Sequence, residues 1–147
     1  MALGDITATI ANESYVVELL ASATATNGRP TGTAGIATSL LTRLGFTPSN
    51  VRCGVVTTAG SATMTVTLAV WMRAGGLWFV AKYLNASSAA PGVAVAIPES
   101  SADQIQYSEV VPVTAGADRM YMEVVAIAGT STAVTGYAIV GRDEHGQ

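Results

Sequence analysis

Charge is scarce in this chain. Charged residues make up 12% of its 147 positions, about half of the roughly 25% found in an average soluble domain. Lysine occurs once, at Lys82, and the six arginines stand singly along the sequence. A phosphate-binding surface needs clustered cations, so a formal net charge of −3 built from scattered residues argues against nucleic-acid binding. Cysteine also occurs once, which excludes an intrachain disulfide and a multi-cysteine metal site. In "NVRCGVVT" Cys53 stands among apolar neighbours and reads as a small buried hydrophobe. The one histidine, His145, lies in the polar tail "RDEHGQ", residues 142–147, which is expected to fray and to hold an imidazole poorly for catalysis or zinc. No uninterrupted apolar run reaches the roughly 18 residues that would span a bilayer, so no membrane partner is expected. "MALGDITATI" has no basic stretch leading into an apolar one, so no secretion signal is expected.

Glycine is present without the spacing that binds phosphate. "NGRPTGTAG" places Gly28, Gly32 and Gly35 around Pro30, and neither a dinucleotide fingerprint nor a P-loop lysine follows. The acidic residues are dispersed and form no calcium loop. Glu99 and Asp103 could meet Asp118 around a hard cation, but solvated turns are the simpler reading. These absences point to a protein that is not an enzyme and needs no cofactor or metal.

What the chain does have is small and β-branched. Alanine, threonine, valine and glycine fill about half of it, a composition suited to pleated sheet and tight turns. Strands are expected at 5–11, 51–57, 63–73, 77–84, 93–98, 104–113, 119–129 and 133–141. "SYVVELLA" (14–21) fits strand or short helix, and "IATSLLTRLG" (36–45) fits two helical turns or a strand. Pro112 suggests a sheet edge or a strand end. Residues 22–50 form a long turn-rich segment, and 1–12 are a candidate arm. The expectation is a single all-β domain over 1–147: an antiparallel β-sandwich, jelly-roll-like, with an extended N-terminal arm or long loop.

Alternation assigns faces. In "TMTVTLAVWMR", Met64, Val66, Leu68, Val70 and Met72 share one side, and Thr63, Thr65, Thr67, Ala69, Trp71 and Arg73 share the other. The Ala-Gly-Gly turn at 74–76 reverses the chain as a two-residue hairpin loop. Continuing the alternation puts Leu77, Phe79, Ala81 and Tyr83 on the core face, with Trp78, Val80 and Lys82 opposite. In the later strand Met120, Met122, Val124 and Ala126 oppose Arg119, Tyr121, Glu123 and Val125. Trp71, Arg73, Trp78, Arg119 and Tyr121 are therefore the candidate interface residues, because tryptophan, tyrosine and arginine concentrate binding energy at interfaces. Trp71 and Trp78 on one face also fit a sugar-stacking platform in a glycan-binding or tail-fibre-type adhesion module.

"TVTLAVWMRAGGLWFVA" together with "DRMYMEVVAIAGTSTAVTGYAIV" resembles small virion proteins of tailed bacteriophages, of the type that decorates or cements capsids. The resemblance covers residues 62–141 and carries no site motif. It implies a homo-oligomer, commonly a trimer, bound to the major capsid protein on the outer capsid surface. There it would reinforce the shell without touching the packaged DNA. The low charge agrees, since a surface so poorly solvated is best covered by neighbouring subunits.

Overall fold

A computed structural model describes residues 15–41, 48–58, 65–87, 104–128 and 133–140. The strands expected at 5–11 and 93–98, the arm at 1–12 and the tail at 142–147 lie outside the described residues.

Among the described residues eight strands follow one another: β1 Tyr15–Ala23, β2 Ile36–Ala37, β3 Asn50–Thr58, β4 Thr65–Ala74, β5 Leu77–Ser87, β6 Gln104–Pro112, β7 Ala117–Ala128 and β8 Val134–Val140. The ambiguous 14–21 stretch is strand over its described part, from Tyr15 onward. The 36–45 stretch holds a two-residue strand and one 3-10 turn, Thr38–Leu41, over its described part. Two four-stranded sheets result, ordered β1-β8-β3-β6 and β2-β7-β4-β5, and every pairing is antiparallel.

This order has a simple origin. β4 pairs β5, β3 pairs β6, β2 pairs β7 and β1 pairs β8. The chain is thus one nested antiparallel ribbon whose apex is Gly75-Gly76, rolled up so that β8 also meets β3 and β7 also meets β4. An eight-stranded ribbon rolled in this way is a jelly roll. At the apex both glycines have positive φ, 61° and 78°, as a two-residue turn matched to strand twist requires.

The two sheets face each other across one core. β4 contributes Val66, Leu68, Val70 and Met72, β7 contributes Met120, Met122 and Val124, and β5 contributes Leu84. The opposite sheet contributes Val17, Leu19, Val51, Cys53, Val55, Val111, Val134, Ala138 and Val140. Each such large side chain adds about 1.5–3 kcal/mol when fully buried. Gly136 keeps the sheets close, since a Cβ there would overlap the sulfur of Met122. Val16, Val56, Tyr137 and Ile139 form a second buried cluster. By strand parity it lies on the other face of the β1-β8-β3-β6 sheet.

Two of the register slips overturn expected faces. The β4–β5 register slips between Val70 and Trp71, which makes Ala81 an extra residue on β5. Beyond it Lys82 and Leu84 oppose Val70 and Leu68 on the core side, while Tyr83 opposes Ala69 and is 56% exposed. Tyr83 and Lys82 are therefore exchanged relative to the expected faces. On β7 a slip opposite Thr67 and Leu68 makes Val125 extra, so Ala126 is exposed and Ile127 packs on the core. A β-bulge inverts the facing of all that follows it on its strand.

Leu77 and Phe79 depart for another reason. Phe79 opposes Met72 and shares its face as expected, yet Leu77 is 63% and Phe79 46% exposed. Both lie within three residues of the Gly75-Gly76 turn, and neither belongs to the core cluster.

Candidate contact surface

The five candidate residues occupy two adjacent cross-strand rows on the outer face of the β7-β4-β5 sheet. One row is Tyr121, Trp71 and Val80; the next is Arg119, Arg73 and Trp78. The structure brings all five together, and it brings residues 24–35 across them as a strap.

The strap is held by polar anchors. Arg119 donates from Nε to the Ala34 carbonyl at 2.9 Å and from Nη2 to Gly35 at 3.0 Å. Arg73 donates from Nη1 to the Gly32 carbonyl at 2.8 Å and forks onto the Asp118 carboxylate, Nε to Oδ1 at 3.1 Å. That fork, with its hydrogen bonds to the carboxylate, holds Asp118 below the usual range and Arg73 above its own. The Tyr121 hydroxyl donates to the Gly28 carbonyl at 2.9 Å; burial first, then the charge of Glu123, raises its pKa. Asn27 closes the free edge of β7: its Nδ2 donates to the Met122 carbonyl at 3.2 Å, and its Oδ1 accepts from the Val124 N–H at 2.7 Å. A side-chain amide here stands where a further strand's backbone would otherwise pair.

Gly35 shows how close the strap lies. Its φ is +76°, and a Cβ would overlap the Met120 carbonyl oxygen. The glycines of "NGRPTGTAG" thus serve turns and close approach. Between Thr24 and Thr33 only Pro30 is buried, so apolar packing contributes little to the strap.

The tryptophans are partly buried. Trp71 Nε1 donates to Glu123 Oε1 at 2.9 Å. Trp78 meets Tyr121 edge-on, with centroids 6.3 Å apart, and its indole N–H is buried without a partner. Such an orphan costs about 1–3 kcal/mol. The exposed aromatic on this face is Tyr83, beside exposed Asn85.

A second surface was not apparent from alternation. Ala117, Ala74 and Leu77 form one row at the apex end of the sandwich. Beside it Pro48, Ser49, Val113, Thr114, Ala115, Gly116 and Ala117 line a groove of about 350 Å³. Leu77 and Phe79 stand exposed at that end. The signal in the sequence is the pair of large apolar residues, Leu77 and Phe79, directly after a Gly-Gly apex. The strap anchor Asn27, and Asp118 which holds the anchor Arg73, carry no comparable signal.

Cys53 is fully buried, and desolvation pushes its thiol up to about 12. Among the described residues no group of three or more His, Cys, Asp or Glu could hold a metal ion, and no helix is long and apolar enough to cross a membrane. His145, Glu99 and Asp103 lie outside the described residues. In comparisons with protein-family models, curated proteins and solved structures, nothing matches the chain.

Proposed function

We propose that this chain is a non-enzymatic structural protein of a virion, binding the outer capsid surface as a homo-oligomer and reinforcing the shell as a decoration or cement protein. The observation that carries the reading is the apex end of the jelly roll, where Leu77 and Phe79 stand uncovered beside the Pro48–Ala117 groove. Large apolar side chains exposed together mark an association surface. In a chain with 12% charged residues, such an end is desolvated at little electrostatic cost. The virion setting comes from the phage-like character of the hairpin and β7 sequences, and the jelly roll suits a part that packs against other subunits.

The mechanism is burial. Each copy covers apolar surface on itself and on the coat lattice, and expansion of the shell would have to re-expose that surface. The test is sedimentation of the purified chain, alone and with assembled capsids of the phage that encodes it. The expected result is a homo-oligomer that binds capsids to saturation and raises the temperature at which they release DNA. A monodisperse monomer that leaves capsids unbound overturns the proposal.

A further inference from the structure

We propose that Asn27 is a site of spontaneous deamidation, and that its conversion releases the strap from β7. Asn27-Gly28 is the one Asn-Gly pair in the sequence, and both residues are exposed. Glycine offers no side chain to hinder attack by its own nitrogen. The Gly28 backbone nitrogen attacks Asn27 Cγ, forming a C–N bond that closes a five-membered succinimide. The Gly28 amide proton and the Nδ2 group leave together as ammonia. Water then opens the imide at either carbonyl, leaving an aspartyl or isoaspartyl residue at position 27. The sum is hydrolysis of one amide, with no change of oxidation state and one added negative charge.

The folded protein restrains this reaction and is altered by it. While the strap is docked, Nδ2 is held on the Met122 carbonyl and Oδ1 on the Val124 N–H. The carboxamide cannot turn toward Gly28 without breaking both bonds. Reaction therefore proceeds only from molecules whose strap has opened, and its rate scales with that open fraction. After conversion the donor to Met122 is gone, and a carboxylate oxygen faces a carbonyl oxygen. The isoaspartyl product also lengthens the backbone and carries the Gly28 carbonyl away from the Tyr121 hydroxyl that it accepts from. With only Pro30 buried between Thr24 and Thr33, little apolar packing redocks that half of the strap. Opening is thereby made permanent, and the β7 edge at Met122 and Val124 becomes free to pair.

The test follows the full chain at mildly alkaline pH, folded and urea-unfolded, by peptide mass and isoaspartyl-specific methylation. Asn27 is expected to convert in both, at least about tenfold more slowly when folded. Equal rates, or no conversion in the folded protein once the unfolded chain is fully converted, overturn the proposal. Hydrogen–deuterium exchange then reads the consequence in the naturally converted protein and in Asn27→Asp. Exchange at Val124 and across 24–29 is expected to quicken at least about tenfold, and exchange unchanged in both overturns the release.

Discussion

Burial of Cys53 between the two sheets makes one thiol a measure of the core. Its pKa rises from the ordinary 9.0 to about 12 because the thiolate would lie in a desolvated site. Between those values the native state keeps a proton that the unfolded chain has lost, so rising pH favours unfolding there. Stability is expected to be independent of this group below pH 9.0 and then to fall by about 1.4 kcal/mol per pH unit up to the folded value. Urea titrations of the parent chain and Cys53→Ala across that range should diverge, the parent losing stability faster. Parallel curves would place the thiol in contact with solvent. The same burial keeps the native thiol unreactive toward alkylating reagents until the fold opens.

At the scale of the strand, β5 shows what sequence can and cannot specify. The face assignment in "TVTLAVWMR" is legible because Val66, Leu68, Val70 and Met72 recur at every second position and are all buried under a whole sheet. The inversion at Ala81 is not legible, because a bulge is selected by what the strand must reach. Here it turns Lys82 inward at the rim, where Nζ meets Glu109 at 3.2 Å and the Val110 carbonyl at 3.2 Å on β6. An inward charge at the junction of two edge strands also discourages another chain from pairing there. Both side chains keep about a third of their surface in water, so the pair contributes little free energy. Lys82→Met, which keeps the stem and removes the charge, is expected to change stability by less than about 1 kcal/mol. A loss of about 3 kcal/mol or more in denaturant unfolding would mean that the carboxylate left behind is buried. The strap is equally hidden from sequence: Asn27 and Arg119 lie 92 positions apart, and only the rolled ribbon brings both to the β7 edge.

At the scale of the whole molecule, the nested ribbon explains why the apex end is the place to look for association. The pairings β4–β5, β3–β6, β2–β7 and β1–β8 nest about the two-residue Gly75-Gly76 loop, which among the described strands is the one turn that joins paired neighbours directly. Directly after this apex Leu77 and Phe79 stand in solvent. A chain with so little charge gains nothing internal from these two side chains, so their effect should appear only between molecules. The double substitution Leu77→Ser with Phe79→Ser is expected to leave the melting temperature of the isolated subunit nearly unchanged, since exposed substitutions fall within about 0.5 kcal/mol. The same double variant should shift sedimentation from oligomer to monomer. Leu68→Asp, seven residues before the Gly75-Gly76 apex on the same hairpin but fully buried, should instead prevent folding, because an unpaired carboxylate enters the core. If the serine variant remains oligomeric, the apex is not the contact, and the outer face around exposed Tyr83 and Asn85 is the next surface to substitute.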